Sequence, residues 1–305
     1  MRICALLGNP VAQSVSPALH GALAASVNFE LAYIKRPVPS AALLPEFLQA
    51  LATLGAVGAN ITIPYKVAVL EHLDALAASA AGIGAVNTVV FDAAGRTTGH
   101  NTDGVGALTA MDRQLRPVEH GDRVVILGAG GAARAVTYEA CQRGADVAVL
   151  TAYAGEIAPF LTAMAPRCRT QLRVAVLNNE HLLSRLLEAD FLVNATPLGM
   201  TPNLDTSAVP TGLIERLAAE RDMGSLYLLD AVYNPLETRL LRAFAGAEAT
   251  VCSGIWMLIF QAIASFELWT GLSVGDEQPS RLYETLLIEL EIGNTPHTPM
   301  CQSAR

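Results

Sequence analysis

Apolar and polar positions along the chain follow two alternating patterns. Short runs rich in β-branched residues alternate with longer stretches of helical periodicity from residue 1 to about residue 291. Such alternation is typical of α/β proteins with mostly parallel sheets. The sequence therefore predicts an α/β fold.

The first hundred residues predict a compact α/β unit. Ser16 and Pro17 suit the N-cap and the first turn of a helix over 18–25. Strands are predicted over 58–63, 85–90 and 98–103, before a helix over 105–115. We expect that helix to cross into a second domain.

From residue 122 onwards the pattern starts again as a nucleotide-binding unit. Strands are predicted over 123–127, 146–150, 172–176, 191–194 and 226–230, with helices over 132–143 and 236–245. This order is typical of a doubly wound, Rossmann-type sheet. A strongly apolar helix over 254–271 and a last helix over 280–291 are expected to pack back on the first unit.

The patterns predict two domains with a cleft between them. The N-terminal α/β substrate-binding and catalytic domain comprises residues 1–104 and is completed by the C-terminal helices within 254–291. The Rossmann dinucleotide-binding domain comprises residues 105–253. Residues 292–305 are expected to form a flexible tail because they are rich in proline, threonine and serine.

Composition narrows the classes of partner. The chain has 52% apolar and 16% charged residues and a net charge of -8, without a run of basic residues. Nucleic acid and membrane surfaces are therefore poor candidates as partners. An anionic small molecule stays possible, because one lysine or one helix N-terminus can hold it inside a cleft.

The cysteines and the first residues indicate the compartment. The five cysteines are widely spaced and form no C-x-x-C motif, so the sequence predicts neither a disulfide framework nor a metal site. The first residues resemble a strand rather than an export signal, and polar residues interrupt the apolar stretch over 75–91. We expect a cytoplasmic protein without a transmembrane helix.

A glycine-rich turn follows the strand over 123–127 and opens a helix. Its residues match the G-x-G-x-x-A pattern, in which backbone N–H groups and the helix dipole face a pyrophosphate. The candidate cofactor-binding residues of this turn are Gly128, Ala129, Gly130, Gly131 and Ala132.

The segment after the next strand bears on the choice between NAD and NADP. An acidic residue there accepts the ribose hydroxyls of NAD, whereas an arginine accommodates the 2′-phosphate of NADP. The segment Thr151-Ala152-Tyr153 contains neither, and Glu156 would repel a phosphate if it pointed inward. The sequence favours NAD over NADP as the cofactor.

Polar residues gather where the strands of the first unit end. They include Lys66 after Asn60-Ile61-Thr62-Ile63-Pro64-Tyr65, Asn87-Thr88, and Asp103 within Asn101-Thr102-Asp103-Gly104. Amides and hydroxyls suit a polyol ligand, a lysine can meet a developing alkoxide, and a carboxylate can orient that lysine. Lys66 alone would more often be a solvated surface residue, so the prediction rests on the whole group.

Several segments, taken in order, make the chain resemble the shikimate dehydrogenase family. They are Gly8-Asn9-Pro10 with Ser14-Val15-Ser16-Pro17, residues 60–66, Gly84-Ala85-Val86-Asn87-Thr88, residues 101–104, residues 128–134, Asn194-Ala195-Thr196-Pro197-Leu198-Gly199-Met200, Val232-Tyr233-Asn234-Pro235, and Met257-Leu258 with Gln261. The resemblance covers nearly the whole chain. It implies an NAD(P)-dependent dehydrogenase that acts on shikimate, quinate or a similar cyclic hydroxy acid.

The resemblance also implies roles for individual residues. Lys66 and Asp103 would form the catalytic pair that moves the proton of the reacting hydroxyl. The substrate carboxylate would bind at Ser14 and Ser16, and the ring with its hydroxyls at Thr62, Asn87, Gln261 and Tyr233. Further cofactor contacts would come from Thr151, Thr196, Met200 and Gly254.

Two departures from the family pattern leave alternatives open. Thr151-Ala152-Tyr153 stands where NADP-type members have Asn-Arg-Thr, and Trp256 stands where a glycine is common. Trp256 belongs either to the core or to a narrowed nicotinamide pocket. The chain could also be a ligand-binding regulator without cofactor use or, as a minor alternative, a folate-linked dehydrogenase, and it could be a monomer or a homodimer.

Overall fold

Two six-stranded sheets form the framework of the computed structural model, which describes residues 1–294. The first sheet contains β1 (Arg2–Gly8), β2 (Leu31–Pro37), β3 (Gly58–Ile61), β4 (Ala75–Leu76), β5 (Thr88–Phe91) and β6 (Thr97–His100), in the order β2-β1-β3-β5-β6-β4. The prediction of a two-domain α/β protein is confirmed. Strand β5 is the exception to the parallel direction, because a short turn stabilised by Asp92 joins it to β6 as a hairpin.

The second sheet is parallel throughout. It contains β7 (Arg123–Leu127), β8 (Asp146–Thr151), β9 (Leu172–Val176), β10 (Phe191–Asn194), β11 (Tyr227–Asp230) and β12 (Thr250–Ser253), in the order β12-β11-β10-β7-β8-β9. This is the doubly wound order in which a dinucleotide binds at the carboxyl ends of the strands, where the strand order reverses. The reversal lies between β7 and β10.

Eleven helices of the described residues cover the two sheets. They are α1 (Ser16–Ser26), α2 (Leu44–Thr53), α3 (Ala78–Ile83), α4 (Asp103–Gln114), α5 (Gly131–Gln142), α6 (Ile157–Met164), α7 (Asn179–Leu186), α8 (Thr211–Glu220), α9 (Arg239–Gly246), α10 (Gly254–Thr270) and α11 (Gln278–Asn294). No helix within residues 1–294 is long and apolar enough to span a membrane. Helix α11 includes the first three residues of the predicted tail, and the remainder, 295–305, lies outside the described residues.

Two packed helices connect the sheets. Helix α4 leads from the first sheet to the second, α10 leads back, and the two contact each other along their length. A Cβ atom at Gly106 would lie 2.7 Å from the backbone nitrogen of Gln261, so only glycine permits this approach. The crossing helices therefore form a close-packed layer behind the cleft between the sheets.

The start of α1 differs from the sequence prediction. The helix begins at Ser16, with Val15 rather than Ser16 at the N-cap position. Ser14 Oγ instead accepts a hydrogen bond of 3.2 Å from the backbone N–H of Ser16. This local bond turns both serine side chains toward each other at the helix entrance.

A disulfide between Cys141 and Cys168 corrects the prediction that the cysteines form none. The two residues are 27 positions apart, and no sequence motif connects them. They meet because the end of α5 and the segment before β9 lie together at one edge of the second sheet, with Cα atoms 4.9 Å apart. Cys4 and Cys252 are buried free thiols, and burial raises the pKa of Cys252 to about 12.

His20 of α1 is a buried, neutral histidine. Its ring is 1% exposed and stacks on Tyr33 with 4.5 Å between centroids, and its Nδ1 has no hydrogen-bond partner. Burial lowers the pKa of His20 from 6.5 to about 3, although the side chain of Asn60 opposes the shift. The folded protein therefore keeps His20 uncharged while the unfolded chain takes up a proton below about pH 6.5.

We predict that His20 makes the fold sensitive to acid. Because the folded pKa lies below the unfolded value, stability is lost as the pH falls from about 6.5 toward 3. His20→Phe should remove about 2 kcal/mol of the acid-induced loss measured by urea unfolding at about pH 7.5 and 4.5. The exposed His120→Phe serves as control, and equal acid sensitivity of His20→Phe and the wild type would refute the prediction.

Candidate active site

Lys66 and Asp103 meet at the mouth of the cleft. The Lys66 Nζ atom donates to Asp103 Oδ2 at 2.6 Å, and the side chains are 18% and 8% exposed. Lys66 follows the buried Tyr65, whose hydroxyl donates a hydrogen bond to the Val38 carbonyl and anchors the turn after β3. Asp103 opens α4. The structure thus brings together two side chains from separate segments.

The amide of Asn87 fixes the orientation of Asp103. Asn87 Oδ1 accepts from the backbone N–H of Thr102 at 2.8 Å, a group that can only donate. Asn87 Nδ2 therefore faces Asp103 Oδ1 at 2.8 Å and Gln261 Oε1 at 3.4 Å. Asp103 accepts on one oxygen from the amide and on the other from Lys66.

Ser14 and Ser16 form a pair of hydroxyls at the entrance of α1. Ser14 Oγ donates to Ser16 Oγ at 3.0 Å. Lys35 of β2 holds the loop before them, because its Nζ donates to the carbonyls of Ala12 at 2.5 Å and Ser14 at 3.3 Å. The pair therefore lies beside a positive charge that the sequence did not point to.

Three further predicted ligand residues lie around these groups. Thr62 packs against Gly8 directly after β3, and its hydroxyl has no protein partner within residues 1–294. Gln261 donates to the Leu258 carbonyl of its own helix, which leaves its oxygen toward Asn87. Tyr233 packs with the α1 and α10 residues, and burial raises its pKa. No direct hydrogen bond joins Thr62 or Tyr233 to the other predicted residues.

The glycine turn has the form that a dinucleotide needs. Gly128 has a φ of 102°, which favours glycine, and a Cβ atom at Gly130 would meet nothing within 4 Å. No side chain within the described residues caps α5, so the first N–H groups of the helix, which include those of Gly131 and Ala132, have no side-chain acceptor. These features fit a pyrophosphate. A Cβ atom at Gly131 would lie 3.3 Å from Lys66 Cδ, so the turn is adjacent to the Lys66–Asp103 pair.

A chain of hydrogen-bonded polar side chains lies at the carboxyl ends of β10 and β11, next to the glycine turn. Thr196 Oγ1 donates to Asn194 Oδ1 at 2.6 Å, and Asn194 Nδ2 donates to Asp230 at 2.8 Å. Burial raises the pKa of Asp230, although three hydrogen bonds oppose the shift. Thr196 also lies against Gly128, whereas Met200 is 41% exposed further along the loop.

Gly254 starts α10 at the end of β12. A Cβ atom there would lie 2.4 Å from the Ala231 carbonyl oxygen, so glycine lets the helix begin directly against the neighbouring strand end. Two residues later, Trp256 stacks on Tyr283 of α11 with 4.7 Å between centroids. The indole therefore packs against the core between α10 and α11. This position favours the core alternative for Trp256 over a narrowed nicotinamide pocket.

Glu156 reaches back to the end of β8. Its carboxylate accepts a hydrogen bond from Thr151 Oγ1. An acidic group therefore lies at the end of β8, although residues 151–153 themselves include no acidic residue. Burial and the charge of Arg167 lower the pKa of Arg134 in α5, whereas the charge of Glu156 opposes this shift. Tyr153 stands next to them with 70% of its surface exposed.

The chain has only two lysines, Lys35 and Lys66, among 20 basic residues. Both lie at this site, and every other basic residue is arginine. Arginine stays charged at any physiological pH, whereas lysine can release a proton. No group of three or more His, Cys, Asp or Glu side chains within residues 1–294 could hold a metal ion.

Comparison with known proteins agrees with this geometry. Two family models match: the shikimate dehydrogenase substrate binding domain at residues 6–89 and the shikimate 5′-dehydrogenase C-terminal domain at residues 254–276. A curated shikimate dehydrogenase (NADP(+)) of Methanopyrus kandleri is 38% identical over 292 residues, which cover 94% of this chain and 95% of the relative.

Two solved structures are similar over almost the whole chain. Shikimate 5-dehydrogenase of Thermus thermophilus, in complex with NADP(H) and shikimate, has a TM-score of 0.80 and 33% identity, covering 95% of this chain and 100% of its own. Quinate dehydrogenase of Corynebacterium glutamicum, in complex with NAD, has a TM-score of 0.81 and 32% identity, covering 94% and 99%.

Fold, site and relatives define the class: the protein is an NAD(P)-dependent dehydrogenase that acts on a CH–OH group. The chain belongs to the shikimate dehydrogenase family. The family resemblance predicted from the sequence is confirmed.

We predict that Asn87→Asp destabilises the protein in a pH-dependent way. A second carboxylate 2.8 Å from Asp103 raises the pKa of one of the two in the folded state. A raised folded pKa lowers stability as the pH rises, so the loss should reach about 1–3 kcal/mol near pH 8 and be smaller near pH 5. Thermal unfolding at both pH values measures it.

The matched control for this substitution is Asn178→Asp. Asn178 caps α7 by accepting from the backbone N–H of His181, and an aspartate keeps that function. A pH-independent loss in Asn87→Asp, or the same profile in both variants, would contradict the close contact between the side chains of residues 87 and 103.

Proposed function

We propose that the protein catalyses the reversible NAD(P)-dependent oxidation of the 3-hydroxyl of shikimate, equivalent to reduction of 3-dehydroshikimate, or of the corresponding hydroxyl of quinate. The single observation that carries the proposal is the Lys66–Asp103 pair beside the glycine turn. We assign residues 1–104 with 254–291 to the hydroxy acid and residues 105–253 to the cofactor. The relative in complex with NADP(H) and shikimate, and the relative named quinate dehydrogenase, support this substrate class.

The bound cofactor would accept or supply a hydride at nicotinamide C4. In the oxidative direction the hydroxyl proton passes to Lys66, and Asp103 takes up the proton that Lys66 gives away. In the reductive direction the Lys66 ammonium donates a proton to the carbonyl oxygen, where negative charge develops. Asn87 keeps Asp103 aligned during both steps.

The substrate carboxylate would bind at Ser14 and Ser16. Their hydroxyls can donate to an anion, and the Lys35 charge beside the loop attracts it. Thr62 and Gln261 present polar groups to ring hydroxyls, and Tyr233 supplies an apolar wall. These contacts suit both shikimate and quinate, which share the carboxylate and neighbouring hydroxyls.

We predict that Lys66→Arg and Lys66→Ala lose activity for the same reason. Arginine keeps the positive charge but cannot release a proton, so both variants should lower kcat by about 10²- to 10⁴-fold. Initial rates of nicotinamide reduction with shikimate and quinate, each with NAD and NADP, measure the effect. Arg36→Ala, which removes an exposed basic residue of β2, is the control, and an active Lys66→Ala would overturn the proposed mechanism.

We also propose that the protein prefers NAD. The Glu156 carboxylate at the end of β8 can accept ribose hydroxyls and repels a 2′-phosphate. Glu156 would thus supply the carboxylate for the ribose hydroxyls that residues 151–153 lack. Arg134 is the group that would favour NADP, and its partial burial limits its approach to a phosphate.

Glu156→Gln should therefore reduce the preference for NAD over NADP, in kcat/KM, by roughly tenfold. Binding of AMP against 2′,5′-ADP, measured calorimetrically, tests the same difference without turnover. Glu46→Gln, in the first turn of α2, is the matched control. Unchanged selectivity in Glu156→Gln would exclude Glu156 as the selective group.

A further inference from the structure

Three buried hydroxyls form a triangle beneath the active site. Thr88 Oγ1 lies 2.7 Å from Ser265 Oγ, Thr102 Oγ1 lies 3.0 Å from Ser265 Oγ, and the two threonine oxygens are 3.3 Å apart. Thr88 and Ser265 are 0% exposed and Thr102 is 3% exposed. This hydroxyl triangle therefore lies beneath the pocket, away from solvent.

Ser265 is the corner that joins the triangle to α10. Its Oγ donates to the Gln261 carbonyl one turn earlier at 2.9 Å, and Asn60 Nδ2 lies 3.4 Å away. A hydroxyl has one proton and two lone pairs. When Ser265 donates to Gln261, its lone pairs can accept from both threonines, so a single atom satisfies three segments of the chain.

The triangle connects to the catalytic pair through Thr102 and Asn87. Thr102 precedes Asp103 directly, and its Oγ1 accepts from Asn87 Nδ2 at 2.9 Å. The same amide nitrogen donates to Asp103 Oδ1 at 2.8 Å. A shift of the Thr102 side chain would thus rotate the Asn87 amide and withdraw a donor from Asp103.

We propose that Ser265 is a positioning residue, which acts through Thr102 and Asn87 to hold Asp103 in line with Lys66. This inference rests on the proposed function of the Lys66–Asp103 pair. Ser265 does not reach the cleft itself, so its loss changes the alignment of the pair and not the set of groups that contact a ligand.

Ser265→Ala should lower kcat roughly tenfold and leave KM for the hydroxy acid within about twofold, because alignment affects the transition state more than binding. It should also move the acidic limb of the kcat–pH profile to higher pH, since Asp103 loses a hydrogen-bond donor. Ser265→Thr keeps the hydroxyl, so its kcat and its pH profile should be close to those of the wild type.

A double-mutant cycle tests whether the triangle acts as a unit. Thr88→Val removes a second corner, so its effect on kcat should not add to that of Ser265→Ala. Thr137→Val, which removes a fully buried hydroxyl without any partner, is the control for burial alone.

Three outcomes separate the possible failures. A Ser265→Ala enzyme with normal kcat and pH profile, alongside an inactive Lys66→Ala, overturns the inference while the proposed function stands. A lower unfolding temperature with unchanged kcat also overturns it, because Ser265 would then act on stability alone. An active Lys66→Ala overturns the proposed function itself, and the inference with it.

Discussion

The hydrogen bond between the Asn87 amide and the backbone N–H of Thr102 is the constraint on which the arrangement of Lys66 and Asp103 depends. A backbone N–H can only donate, so it determines which end of the amide faces Asp103. With the nitrogen on that side, Asp103 accepts from Asn87 and from Lys66 at once. Reversal of the amide would set two acceptors against each other and leave Lys66 as the only partner of the carboxylate.

The distribution of lysine and arginine along the chain bears on the role of Lys66. Of the 20 lysine and arginine residues, 18 are arginines, several of which form exposed ion pairs, whereas the two lysines bind groups at Ser14 and Asp103. Arginine would satisfy a merely structural ion pair with Asp103 as well as lysine, and with better geometry. The presence of lysine at position 66 is therefore explained better by proton transfer than by stability.

The sequence allowed the two-domain fold, the glycine turn and the family to be predicted, because each depends on local patterns. It did not reveal features that arise from contacts between distant segments. Cys141 meets Cys168, 27 positions further on, only because the end of α5 and the segment before β9 lie together at the sheet edge. Ser265 looked like one small residue in an apolar helix, and its contacts with Thr88 depend on how α10 crosses the first sheet.

Helix α10 starts at the second sheet and carries predicted site residues toward the first. Gly254 begins the helix against the second sheet, and Gln261 and Ser265 follow along one stripe toward the first sheet, because residues about a helical period apart share a face. Further along the same stripe, Trp269 donates to the Val89 carbonyl. Because α10 is hydrogen-bonded to both sheets, a tilt of the helix would move Gly254 at the second sheet and Ser265 at the first sheet together. Polar residues in an otherwise apolar helix are stable here because each is hydrogen-bonded, and that requirement fixes the helix at one depth in the fold.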